Sequence, residues 1–461
     1  MKHVEEPRAL ARGGSTTQER GLKIGTMIPI TVIGGGLAGC EAVWQISRRG
    51  GRAVLYEMKP ELYSPAHRSP FLAEIVCSNS FKSESLENGP GVLKGEMGLL
   101  ESLILLKARE TKVPAGDCLA VDREPFSRQI TETLEGLENV EIVRKEMSGI
   151  PDDGITVVAT GPLTSPALSQ SIRRISGNRH LFFYDAVSPI VTGESIDFDK
   201  TFKGSRYGKG GDDYVNCPMQ EGQYYRFVDA LKEAETATLR DFERKYLFEG
   251  CLPVEELAAR GRDTLAFGPL KPVGLIDPKT GRQAFAVVQL RREDRSETLF
   301  NLVGFQTRLK QEEQKRIFRM IPGLEQAEFV RLGSVHRNTF IDSPRMLMET
   351  LQLKERPNLL FAGQITGVEG YMESTATGLL AGINAFRLSR GMQPVVPPPE
   401  TAIGALIRYI TQSPSVPFQP MNINFGLFAP IEGRLRGRQK RRALAGRALE
   451  EMKKWSEGVG A

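Results

Sequence analysis

Three glycines, one carboxylate and two cysteines have the residue types and spacings that could do chemistry. Gly34, Gly36 and Gly39 stand as G-x-G-x-x-G in the run Gly34-Gly35-Gly36-Leu37-Ala38-Gly39. In that spacing the first glycine permits a tight turn, and the second lets the main chain approach a pyrophosphate. The third lets helix and strand pack closely. Glu57 follows at the distance where a carboxylate accepts from an adenosine ribose hydroxyl. Cys251 has a glycine before it and Pro253 two residues on, the context of an exposed turn. A thiol there is either a nucleophile or a small buried hydrophobe. Cys77 opens Cys77-Ser78-Asn79-Ser80, whose polar side chains compete for the backbone's hydrogen bonds and so favour a functional loop over a helix interior.

These residues need a scaffold of alternating strands and helices. The β-branched run Ile30-Thr31-Val32-Ile33 reads as a strand entering the glycine turn. A helix from about Leu37, with Gly39, Val43 and Ile46 on one face, would aim free N–H groups and a positive dipole end at the phosphates. Ala53 to Tyr56 is the strand that delivers Glu57. Thr156 to Gly161 reads as a further buried parallel strand, and its Ala159-Thr160-Gly161 end resembles the stretch of two-dinucleotide-fold flavoproteins that lies near FAD. Asn358 to Gln364 is a late strand ending in Gly363 and Gln364, followed by a small-residue helix from Ser374 to Leu388. In flavoproteins of this architecture such a helix N-terminus faces the flavin, where its dipole stabilises the negative charge of the reduced ring, so FAD is favoured over NAD.

The fold class expected is α/β, a Rossmann-like FAD-binding domain of the two-dinucleotide-fold flavoprotein type with an inserted α+β domain. Residues 27–200 and 332–461 would form the two parts of the FAD-binding domain. Residues 201–331 would form the insert, where glycines loosen the chain and strand-like stretches run from Ala284 to Leu290 and from Leu299 to Phe305. Residues 1–26 mix Glu, Arg, Gly, Ser and Thr without the apolar core of a secretory signal and read as a disordered leader. Met27 could then be the natural start.

At 461 residues the chain is long enough for two or three domains, and 40% hydrophobic with 25% charged residues is a soluble globular composition. No run approaches the apolar length of a membrane span. The net charge of +5 matters less than its placement: Arg434 to Arg447 holds seven basic residues and no acid. That run suits phosphate contacts and equally a solvated helix face. The five cysteines lack C-x-x-C spacing, which disfavours a disulfide framework, a zinc site and a dithiol redox pair, and implies a reducing cytoplasm. Cys40, Cys118 and Cys217 read as structural.

Together the segments resemble one family, the folate- and FAD-dependent tRNA uracil-5-methyltransferases. The marks are Val76-Cys77-Ser78-Asn79-Ser80, Leu119-Ala120-Val121-Asp122-Arg123, Phe248-Glu249-Gly250-Cys251 and Phe267-Gly268-Pro269-Leu270-Lys271-Pro272-Val273-Gly274. Further on come His336-Arg337-Asn338-Thr339-Phe340, Gly363-Gln364-Ile365-Thr366-Gly367-Val368-Glu369-Gly370 and Phe418-Gln419-Pro420-Met421-Asn422. The departures are the leader, Cys40 where the family usually has serine, and Arg68-Ser69 after His67.

The resemblance implies methylation of the T-loop uridine of tRNA to ribothymidine, with 5,10-methylenetetrahydrofolate as carbon donor and NAD(P)H as reductant. It implies that Cys251 adds to carbon 6 of uracil, that Cys77 works near the flavin, and that reduced flavin relays the methylene. Arg260, Arg262 and Lys271, close in sequence to Cys251, are then candidates for RNA contact, and His336-Arg337-Asn338 suit flavin or folate and equally a hydrogen-bonded core cluster. Two rivals remain: an NAD(P)H-dependent flavin oxidoreductase without RNA, and an RNA-binding flavoprotein without catalysis. The absence of C-x-x-C and of a second dinucleotide fingerprint counts against the first, and retention of both cysteines counts against the second.

Overall fold

The computed structural model describes residues 1, 28–175, 180–237, 252–414, 418–431, 433 and 435–459. Its central sheet takes strands from both ends of the chain. In chain order they and their helices are β1 (Ile30–Ile33), α1 (Leu37–Arg48), β2 (Ala53–Tyr56), β3 (Val140–Val143), β4 (Thr156–Val158), β5 (Gln352–Leu353), β6 (Arg356–Phe361) and α2 (Tyr371–Ser389). The strand order is β5-β6-β4-β1-β2-β3. All neighbours are parallel except the β5 edge strand. Parallel strands are covered on both faces, and Val32, Leu55, Val157 and Leu360 are accordingly fully buried. This is the Rossmann-like α/β domain expected.

Helices α1 and α2 both pack on the sheet and against each other, and small residues set how closely the two helices approach. A Cβ on Gly378 would stand 2.2 Å from the Ala38 carbonyl oxygen, and one on Gly382 2.6 Å from that of Ala42. Side chains are excluded there because main chain, which cannot swing aside, occupies the space. Gly378→Val should therefore force the helices apart and cost about 3 kcal/mol, read as a lower urea midpoint at unchanged slope. Helix α2 starts at Tyr371, earlier than the expected Ser374, because Gly370 at φ 120° turns the chain directly into it.

The second sheet is six-stranded and antiparallel, in the order Phe202–Lys203, Tyr214–Met219, Ala286–Arg292, Leu299–Leu302, Ile190–Thr192, Phe329–Arg331. Helices Glu221–Glu233, Val254–Arg260 and Gln311–Phe318 contribute to its core through Phe227, Val254, Ala258 and Phe318. Its strand Ile190–Thr192 lies ahead of Thr201, where the change of sequence texture puts the start of the insert. A two-stranded antiparallel ribbon, His180–Val187 against Ser334–Ile341, flanks this unit in the chain. The C-terminal helix Gly437–Val459 packs Leu444, Ala445, Ala448 and Met452 into the main core.

Candidate active site

The parallel strands β1, β2, β4 and β6 end at one edge of the sheet, where open α/β folds hold their ligands. An open cleft lies there, lined by Gly34 to Ala38, Glu57, Ala159 to Ser165, Gly363, Gln364 and Tyr371, among others. The three glycines have separate reasons. Gly34, at φ +104°, has Ala159 oxygen and Thr160 Cα 2.7 Å from its missing Cβ, so it combines a left-handed turn with close approach to the next strand end. A Cβ on Gly39 would stand 1.8 Å from the Gly34 carbonyl oxygen, which is the close helix-to-turn packing. Around a Cβ on Gly36 there is nothing within 4 Å. Gly36 is also the residue before α1, with no side chain capping the helix, so the unsatisfied N–H groups face space large enough for phosphates.

Glu57 is buried at the end of β2. Its Oε2 accepts the Gly35 N–H at 2.7 Å and its Oε1 the Lys59 N–H at 3.0 Å. A carboxylate oxygen has two lone pairs, so both retain acceptor capacity for ribose hydroxyls. Cys40 donates its Sγ hydrogen to Gly35 oxygen at 3.3 Å, the job a serine would do there, and burial pushes its thiol well above the ordinary range. It is a structural residue of the turn. Beside the start of α1, where a Cβ on it would stand 3.0 Å from that of Ala38, Gly363, at φ 84°, donates its N–H to Thr377 Oγ1 at 2.7 Å, and Gln364 Nε2 donates to Glu369 at 2.9 Å. The cradle at Gly36, the carboxylate at Glu57 and the α2 N-terminus beyond Gly363 together fit a dinucleotide.

Part of the lining carries no sequence signature. Met58, Lys59, Glu74, Lys145 to Met147 and Leu168 all face the cleft. Lys145 to Met147 follow β3, so the parallel-strand rule would have found them once the sheet order was known. His67 also lines the cleft, with Nδ1 2.6 Å from Ser64 Oγ.

Cys77 is partly buried beside the cleft, between Val76, which lines it, and Ser78. The Cys77 N–H donates to Tyr371 Oη at 2.8 Å, and the Ser78 N–H donates to the same oxygen at 3.3 Å. Arg291 donates to Asn79 Oδ1 and Ser78 Oγ, each at 2.8 Å, and Asn79 Nδ2 donates to the carbonyls of Val121 and Arg292 at 3.0 and 2.9 Å. The polar crowding of this loop is thus a set of ties to both domains. Burial, with Cys77 nearby, raises the Tyr371 hydroxyl far above the ordinary range, so it stays neutral while accepting both N–H groups. Tyr371→Phe removes that acceptor and should cost about 1–3 kcal/mol, with FAD-sized ligand binding at the glycine turn intact. A thermal melt with and without added flavin nucleotide measures both.

Cys251 lies outside the described residues, as do residues 2–27 and Arg434. The next residues are well anchored: Leu252 is buried, and the Val254 N–H donates to Gln306 oxygen at 2.7 Å. Cys217 is buried in the antiparallel sheet's core. Arg262 stacks 4.3 Å over the Tyr225 ring and pairs with Asp229 at 3.1 Å. His336, Arg337 and Asn338 sit on the ribbon strand opposite Asp185, Tyr184 and Phe183. In the basic segment Arg442 pairs with Glu87 at 3.0 Å, Arg438 pairs with the same carboxylate, and Arg447 donates to the Pro430 carbonyl. Among the described residues no group of His, Cys, Asp and Glu could hold a metal ion, and no helix is long and apolar enough to cross a membrane.

Comparison with known proteins gives three findings. The family model described as glucose inhibited division protein A matches residues 29–393. A methylenetetrahydrofolate--tRNA-(uracil-5-)-methyltransferase of Geobacter sulfurreducens is 60% identical over 92% of this chain and 98% of its own, and one of Moorella thermoacetica is 55% identical over 91% and 97%. Among solved structures, GidA of Aquifex aeolicus superposes with a TM-score of 0.70 at 17% identity, over 94% of this chain and 73% of that one. At that identity the likeness is one of fold.

Proposed function

The chain belongs to the glucose inhibited division protein A family, and from that premise we infer that it is an FAD-binding, folate-dependent tRNA (uracil-5-)-methyltransferase. The observation that carries the reading is the high identity, across nearly the whole of both chains, with enzymes named for that reaction. The cleft supports it. Gly34 to Gly39 and the α1 N-terminus would hold the FAD pyrophosphate and Glu57 the ribose, with Gly363 and Gln364 beside the start of α1.

The reaction explains why thiols are needed. Carbon 5 of uracil is a weak nucleophile until a thiolate adds at carbon 6 and converts the ring to an enolate. Cys251 supplies that thiolate in this proposal. Carbon 5 then takes the one-carbon unit, loses its proton and gains a methyl group, and the bond from sulfur to carbon 6 breaks. The folate methylene is two electrons too oxidised for a methyl group, so a reductant is required. With NAD(P)H in that role, uridine, methylenetetrahydrofolate, NAD(P)H and a proton give 5-methyluridine, tetrahydrofolate and NAD(P)⁺. Bound FAD supplies two-electron redox chemistry at this point. The Cys77 loop stands beside the cleft, where it would orient the reacting groups and exclude water.

The target is the T-loop uridine of tRNA, the electron donor visits the cleft transiently, and the reaction runs in the cytoplasm. Purified protein, unmodified tRNA, NADPH and methylenetetrahydrofolate labelled in its methylene carbon should place label in 5-methyluridine. Oxidation of NADPH without label would instead favour the oxidoreductase that uses no RNA.

A further inference from the structure

Arg331 ends the strand Phe329–Arg331 of the antiparallel unit, yet its guanidinium reaches out of that unit. Its Nη1 donates to Val76 oxygen at 2.8 Å, and its Nη2 to the oxygens of Cys77 at 3.2 Å and Ser188 at 3.4 Å. Three main-chain carbonyls therefore receive one fork, and two of them belong to the loop beside the cleft. The Cys77 main chain is pinned at both ends: its N–H on Tyr371, from the nucleotide domain, and its C=O on Arg331, from the other.

This arrangement is costly for stability alone. Arg123 donates to the Ile75 carbonyl and pairs with the buried Glu293, and Arg291 donates to Ser78 and Asn79, so among the described residues three guanidiniums tie this loop and one of them, Arg123, has a carboxylate partner. Among the described residues Arg331 bonds to neutral carbonyls, and its buried Nε has no hydrogen-bond partner there. Burial and the adjacent Arg123 push its guanidinium down to about 10, opposed by Glu293, Cys77 and Tyr371, so it is still charged at neutral pH. A half-buried cation whose partners among the described residues are neutral carbonyls carries a desolvation cost that packing does not require. What this cation provides is geometry, because a planar fork fixes the carbonyls it joins relative to one another.

We propose that Arg331 is a positioning residue for Cys77, fixing the thiol-bearing loop against the orientation of the antiparallel unit. The proposal rests on the reading that Cys77 serves the methyl transfer. Movement of a reacting group by about 1 Å can cost a hundredfold in rate, and a lysine ammonium cannot bridge the same carbonyls as a fork.

The test measures FAD content, kcat for methylation and KM for tRNA in R331K and R331Q beside C77A and the wild type. Both Arg331 variants are expected to retain FAD and an unchanged KM, with kcat lowered about ten- to a hundredfold and lysine giving no rescue. A merely structural residue would lower stability but leave kcat per bound FAD unchanged, which overturns the proposal. Full rescue by lysine also overturns it, since charge alone would then suffice. Should R331Q fail to hold FAD, R331K decides; should neither hold it, Arg331 is a folding residue and the proposal falls. A wild type that does not methylate tRNA refutes the methyltransferase reading instead, and a fully active C77A refutes the role of Cys77.

Discussion

Gly36→Asp protein is expected to purify folded and colourless. The Cβ of residue 36 has no neighbour within 4 Å and its backbone is extended, so the substitution meets no steric barrier at that atom and the fold tolerates it. The space it enters is the phosphate cradle before α1. A carboxylate about 4 Å from a phosphate charge, at the effective dielectric of a partly open site, opposes binding by about 4 kcal/mol, roughly a thousandfold in affinity. Steric exclusion adds to this. Circular dichroism should match the wild type while FAD released by denaturation falls to background. A yellow, FAD-loaded Gly36→Asp protein would remove the pyrophosphate from this turn. Gly34→Ala is the informative contrast. There a Cβ meets Ala159 and Thr160 main chain at 2.7 Å from a φ of +104°, so the fold itself should weaken along with the site.

The contrast also marks what a sequence can reveal. The glycine turn, the carboxylate after β2 and the late strand ending in Gly363 were legible because each is forced by local geometry: a left-handed turn, a helix start, a strand end. Strand Ala286–Arg292 likewise falls close to the strand-like stretch read as Ala284 to Leu290. Lys145 to Met147 were not legible, because their place depends on β3 pairing with β2, a contact between distant segments that no residue type announces. Tyr371 and Arg331 are harder still. Each acts through main-chain groups of the Cys77 loop, and a bond to a backbone carbonyl or N–H leaves no complementary residue type in the sequence. Cys77 was legible as part of a polar loop, but not that its ties come from two domains.

Cys251→Ala is expected to keep its FAD and lose methylation by at least about a thousandfold, the scale on which removal of a nucleophile registers. The argument is chemical. Without addition of a thiolate at carbon 6, carbon 5 of uracil stays a poor nucleophile whatever else is bound, so no other group in the cleft compensates. Among the described residues from 252 to 362 none lines the cleft that would hold FAD, so flavin content should be indifferent to the change. That separates it from Gly36→Asp, which loses both flavin and activity. Among the other thiols Cys40 and Cys217 are buried, and burial raises both well above the range in which a thiolate forms at neutral pH. A fully active, FAD-loaded Cys251→Ala protein would therefore leave the addition to Cys77 or Cys118, of which only Cys77 adjoins a residue lining the cleft. The loop tied by Tyr371 and Arg331 would then carry the nucleophile itself.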